Sequence, residues 1–346
     1  VGPHFLDDGS SQFFHSFNRN KRSLTLNLKS SEGKEIFHRL VAVADAVLNN
    51  LRGNQPGRLG LDFDSLAPHN PRIVCAHLSA YGRDGARADW PGFDYLMQAE
   101  AGYLSVTGEP DGPPARFGLS VVDMMTGLMA AFGLVSATLG ARATGKGGDI
   151  DAALFDTALH NLGYLATWYL NADRNQGREP RGAHPSLVPS QLYPTRDGWI
   201  FVMCNKEVFW PVLAEKLGHP EWSDDSRFAR FENRLENRDL LNSLLESEFQ
   251  RRTTGDWLIH LQGAVPCAPV LDVKGALESP FVVDSDRIAR FDGPDPLKML
   301  TSPIRVAGAE QPRRAAPALG RDTDDLLAEL GYEPDRIAGL RARGIV

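Results

Sequence analysis

The sequence predicts an α/β fold: a Rossmann-like parallel sheet forms a large unit, and a smaller α+β unit follows it. Three observations predict it. Between residues 23 and 78, apolar extended runs alternate with amphipathic helical runs, the order that builds a parallel sheet with crossover helices. Past residue 198 that order gives way to one strand followed by several amphipathic helices. The chain has 346 residues, 42% hydrophobic and 23% charged, enough for more than one core and unlike a disordered acidic tail or a collagen-like repeat.

The first strand is expected at Ser23-Leu24-Thr25-Leu26-Asn27-Leu28, where polar and apolar residues alternate. Ser30 or Ser31 then caps a helix with Ile36, Phe37, Leu40 and Val43 on one face and Glu32 and Glu35 at its positive end. Ala46-Val47-Leu48 reads as a second strand, residues 59–66 as a helical patch, and residues 72–78 as a third strand. A helical segment reaching Ala101 and a Gly/Pro-rich loop over 108–118 come next. The apolar stretch 124–141 is long enough to raise the question of a membrane span. Its Thr126, Ser136 and Thr138, the flanking Asp123 and Arg142 and its many small residues favour a buried helix instead, packed through Gly127, Ala130, Ala131, Gly133 and Ala137. A short strand over 149–153 and a second long helix from Leu154 to about Asn171 complete the large unit. Residues 198–203 open the smaller one, with helices over 207–217, 237–251 and 255–261 and an end near Pro294. The tail holds a strand-like Pro303-Ile304-Arg305-Val306 and two polar helices. The expected divisions are therefore 1–195, 196–296 and 297–346.

The formal charge of −7 argues against a dedicated nucleic-acid binder, while leaving room for a local basic patch. Cys75, Cys204 and Cys267 are widely spaced and few, so neither a zinc site nor a disulfide framework is expected, and a reducing cytoplasm is the natural compartment. No run with a basic end, an apolar middle and a cleavage site opens the chain. Gly140 to Gly147 imitates a phosphate loop up to Lys146, but Gly147 stands where a magnesium-binding hydroxyl belongs; a helix C-cap explains the glycines. Asp156 and His160 share a helix face without a third metal-type ligand, so no metal is expected. GxSxG, HExxH and GxGxxG are absent.

Open parallel sheets bind ligands beyond the carboxyl ends of their strands. Those ends carry Lys29, then Asn49, Asn50 and Arg52, then Ser79, Tyr81 and Arg83, which suits an anionic nucleotide-like ligand; wet loops after strands would give the same pattern. Asp123 precedes the apolar helix. Pattern alone favours an N-cap carboxylate over a nucleophile kept ionised by the helix N-terminus, but both rest on the same physics and pattern does not separate them.

Several ordered motifs go further: residues 18–24, Asn27-Leu28-Lys29, Glu32-Gly33, residues 58–62, Asn70-Pro71-Arg72, Gly92-Phe93-Asp94, the 107–114 loop, Val122-Asp123 with Gly127, and residues 144–147. Together they resemble the class III CoA-transferases, the CaiB/BaiF family, over nearly the whole chain. The resemblance implies an interlocked homodimer that acts on acyl-CoA and carboxylic acids with no permanently bound cofactor, no metal, no nucleic acid and no membrane. It implies Asp123 as the nucleophile and Leu26, Lys29, Asn50, Leu51 and Arg58 as CoA contacts. Asp94 would support the active site, and Gly182, in Gly182-Ala183-His184-Pro185, would belong to a loop covering it. The family's racemase relatives carry a histidine where this chain has Phe93 and a glutamate where it has Lys206. Because racemisation needs a base on each face of the α-carbon, transfer is favoured over racemisation. Members of the family begin with a strand–helix–strand unit after which this chain is expected to enter: either it is a piece of a longer product, or the unit was lost, which would suggest a non-catalytic CoA-binding paralogue, the alternative from another class.

Overall fold

Val74, Cys75 and Ala76 are buried with His77 in one run, and a strand with no polar face has to lie inside a sheet covered on both sides. That strand is β2 (Val74–Ser79), the centre of a three-stranded parallel sheet with β1 (Ala46–Asn49) and β3 (Gly148–Ala153). The computed structural model describes residues 2–292 and 297–346. The expected end of the small unit, near Pro294 and at residue 296, lies outside the described residues, as does Val1. Helix Ser31–Val43 starts where Ser30 accepts the N–H of Gly33, and the long helix Val121–Thr144 packs on β2 and β3. Gly145, at φ 78°, closes the long helix as a left-handed C-cap, in keeping with the reading of residues 140–147 as a helix end.

A second sheet, antiparallel in the order β4-β5-β6, comprises β4 (Ser190–Pro194), β5 (Trp199–Met203) and β6 (Cys267–Pro269). Helices Phe209–Leu217, Arg238–Phe249 and Thr254–Leu261 cover it, and Tyr193, Ile200, Trp210, Leu213, Phe249 and Trp257 fill the core between them. β7 (Ile288–Phe291) and β8 (Leu297–Leu300) form a separate antiparallel pair. The chain ends in helices Thr323–Glu329 and Pro334–Ala342.

Six expectations are corrected. Residues 23–28 form no strand: Ser23 and Thr25 bond to Asp322 and Thr323, and Asn27 bonds to Ile345. Their alternation is real, but Leu24 and Leu26 pack on Ile36, Leu327 and Leu340 rather than joining a ladder. Residues 59–66 lie in two short helices, Gln55–Leu59 and Phe63–Leu66, and the second long helix breaks into Leu154–His160 and Tyr164–Ala172 at Gly163 (φ 56°, ψ −123°). Pro303 to Val306 is irregular, and the strand of the tail is Leu297–Leu300. Val43 is exposed, and Val41 takes the buried position near the end of its helix. Finally, the long helix is not enclosed: Ala130 is buried, but Gly127 and Ala131 are exposed, and Leu128, Phe132, Val135 and Leu139 face outward. It is the one helix among the described residues long and apolar enough to cross a bilayer by length and composition, with only 17% of its most apolar window buried.

Candidate active site

The carboxyl ends of β1 and β2 open into a cleft of about 490 Å³. Asn50, Leu51 and Arg52, which follow β1, form one wall; Leu78, Ser79 and Ala80 form the floor; Trp90, Pro91, Gly92 and Phe93 form the facing wall; Asp123 and Leu154 close it. Three sequence-predicted residues, Asn50, Leu51 and Asp123, therefore meet in one place. Backbone approach shapes the first wall: a Cβ on Gly53 would lie 2.1 Å from the carbonyl oxygen of Gly82, so only glycine lets the turn after β1 press against the loop after β2. The facing wall is braced by Tyr81, whose hydroxyl donates to Glu100 at 2.7 Å, and by Arg87, which pairs with Glu100 and lies over the rings of Tyr81 and Trp90.

Asp123 is the third residue of the long helix, not its N-cap; Ser120 holds that position without a side-chain bond. The carboxylate that caps the helix is Asp94, only 3% exposed, whose Oδ2 accepts the N–H of Asp123 at 2.9 Å. Its other oxygen accepts from Gln98 Nε2 at 2.6 Å; Gln98 also donates to the Leu119 carbonyl and accepts the Phe117 N–H. Asp94 and Gln98, one helical turn apart, thus fix the approach to the long helix and the backbone of Asp123. The Asp123 carboxylate itself bonds to nothing among the described residues and faces the cleft. Burial first, and then the negative charge of Asp94, hold it above its ordinary value. The helix terminus therefore does not act as expected from sequence: its N–H is spent on Asp94, and Asp123 is left a more basic carboxylate, exposed at the cleft. Such a group is a stronger nucleophile once ionised.

The other expected residues lie elsewhere. Leu26 is half-buried against Ile36 and the C-terminal helices, Lys29 is exposed in the turn before helix Ser31–Val43, and Arg58 is exposed in helix Gln55–Leu59; none lines the cleft. Gly182, at φ 62°, sits in a turn pinned on two sides. Arg178 donates to the carbonyls of Glu109, Gly112 and Pro113, Arg181 pairs with Glu246, and Arg238 bonds to Glu179 and the His184 carbonyl. Phe93 lines the cleft at 70% exposure and supplies no proton-transfer group there. No group of three or more potential metal ligands occurs among the described residues. Gln98 and His77 were not foreseen. The i, i+4 spacing of Asp94 and Gln98 and a lone histidine inside an apolar strand were the available signals.

The model of CoA-transferase family III matches residues 1–323. An acetyl-CoA:oxalate CoA-transferase of Acetobacter aceti is 33% identical over 92% of this chain and 81% of its own length. A human succinyl-CoA:glutarate CoA-transferase is 30% identical over all of this chain and 80% of its own. A solved CaiB/BaiF family protein from Brucella suis superposes with a TM-score of 0.81 at 32% identity, covering 95% of this chain and 87% of that one.

Proposed function

Because the chain belongs to CoA-transferase family III and is an enzyme of that class, we propose that it moves CoA between carboxylic acids through covalent intermediates on Asp123. The observation that carries this reading is a carboxylate raised above its ordinary value, exposed and with no hydrogen-bond partner among the described residues, facing a cleft at the carboxyl ends of a parallel sheet. Asp123 attacks the thioester carbonyl of the donor; the C–S bond breaks, leaving a mixed anhydride and CoA thiolate. The thiolate attacks the Asp123 acyl carbon, and the donor acid departs as carboxylate, leaving an aspartyl-CoA thioester. An acceptor carboxylate then attacks that thioester, forming a second anhydride and releasing thiolate. Attack of the thiolate on the acceptor acyl carbon yields the new acyl-CoA and regenerates Asp123. No net proton or electron is exchanged, so neither metal nor redox cofactor is required by the balance.

Asn50 and Leu51 would hold CoA at the β1 wall, with Leu26, Lys29 and Arg58 contributing from the neighbouring segments and Asp94 orienting the nucleophile. Gly182 would act near the site from a neighbouring subunit, since its turn does not line the cleft of its own chain. A homodimer is supported by Leu128, Phe132, Val135 and Leu139, a stripe at helical spacing that a second copy would cover. A cytoplasmic location is supported by the buried Cys75 and Cys204, thiols pushed up to about 12 by burial.

The relatives named for oxalate, succinate and glutarate set the first acids to test. Incubation with acetyl-CoA or succinyl-CoA, followed by trapping and mass spectrometry, should find the Asp123 peptide as the CoA thioester adduct. Asp123→Ala should lower transfer by about three orders of magnitude or more. Absence of the adduct with activity retained in Asp123→Ala would sink the mechanism. Rapid α-proton exchange in deuterated water without an acceptor acid would replace it by racemisation.

A further inference from the structure

A side-chain relay runs across all three strands of the parallel sheet and ends on the cleft wall. Its centre is His77 in β2, 1% exposed. His77 Nδ1 is 3.0 Å from Asn49 Nδ2 in β1, its register partner, and Nε2 is 3.0 Å from Asp149 Oδ1 in β3. Asn49 Oδ1 in turn accepts the N–H of Leu51, a residue that lines the cleft.

These partners fix every proton. The Leu51 N–H needs an acceptor, so the Asn49 amide presents its oxygen there and its NH₂ to the ring. Nδ1 must therefore accept, which leaves the proton on Nε2 and directs it at Asp149. Asp149 is anchored as an acceptor by the Phe63 N–H and by Arg83, which also grips Asp151. Of the two imidazole tautomers, only Nε2–H satisfies all these bonds. Phenylalanine would fill the same space and carry none of them.

We propose that His77 is a positioning residue for CoA: it orients Asn49, and through Asn49 holds residues 50–52 in the conformation that receives the nucleotide. The proposal rests on the CoA-transferase reading of the cleft, and it assigns affinity, not chemistry, to the relay, because Asp123 is held separately by Asp94 and Gln98.

The test compares wild type, His77→Phe, His77→Asn, Asn49→Ala and the double variant His77→Phe/Asn49→Ala. Calorimetry with CoA gives Kd, the transfer assay gives KM and kcat, and thermal melting reports folding. His77→Phe and Asn49→Ala should each raise Kd and KM roughly tenfold while kcat stays within about twofold, the scale of one lost positioning hydrogen bond. His77→Asn keeps an acceptor toward Asn49 and should recover most of the affinity. The double variant should bind no worse than Asn49→Ala alone, because both changes cut one relay. Additive losses, an unchanged Kd in Asn49→Ala, or a fall in kcat at constant KM would each overturn the relay. If His77→Phe does not fold, Asn49→Ala with His77→Asn decides the matter. Wild type that binds CoA with variants that are indifferent defeats the relay alone; wild type that does not bind CoA defeats the transferase reading and the relay together.

Discussion

Asp123 and Asp94 lie 29 positions apart, yet one carboxylate bonds the backbone of the other at 2.9 Å. The two acids divide their roles: Asp94, buried beneath the helix start, receives the hydrogen bonds, and the Asp123 carboxylate at the cleft receives none among the described residues. The division has a thermodynamic sign. Asp123 is raised in the folded protein, so folding favours its protonated form, and ionising it at neutral pH works against the fold. Asp123→Asn should therefore melt at a higher temperature than wild type at pH 7 while losing transfer activity. The gain should shrink as the pH falls and vanish below about 3.9, the unfolded value. Melting curves of both proteins from pH 3 to 8 check this. Asp123 itself was legible, because an acid directly before a long apolar run is conspicuous. Its electrostatic setting was not, since the partner that decides it is remote in sequence and adjacent only once both helices dock.

At the scale of elements, β1 and β2 were legible because β-branched and apolar runs flanked by turn residues leave little choice. β3, Gly-Asp-Ile-Asp-Ala-Ala, shows more weakly, because its charged residues serve the relay and Arg83 rather than a core. The long helix was legible as a helix and misread in its surroundings. Its small residues suggested enclosure, yet its larger ones point outward, and composition does not tell a core from an interface. Phe132, 75% exposed at the centre of that stripe, is the place to ask. If the proposed homodimer forms through this stripe, Phe132→Glu should leave the secondary structure intact and convert it from dimer to monomer, read by light scattering coupled to size exclusion. A dimer unaffected by that charge would assign the stripe to some other partner.

The whole molecule is closed by contacts between its early and late residues. Arg22 pairs with Glu329, and Glu32 with Arg336 and Arg343, while Leu24 and Leu26 share a core with Leu327 and Leu340. Exposed pairs of this kind contribute little individually, so the apolar cluster carries the closure. Leu340→Ala should cost about 2–4 kcal/mol in urea denaturation, the range for emptying a buried leucine position. The mistaken strand at residues 23–28 belongs here: alternation reports that one face is buried, not what buries it, and these residues are covered by helices that follow some three hundred positions later. That separation has a consequence for biosynthesis. Ser23 leaves the ribosome 299 residues ahead of Asp322, its hydrogen-bonding partner. At ordinary elongation rates, that is roughly fifteen seconds to a minute during which Leu24, Leu26, Ile36 and Leu40 have only one another, and lack the Leu327 and Leu340 side of their core. The amino-terminal half of this core therefore stays open to solvent until the last two helices are made.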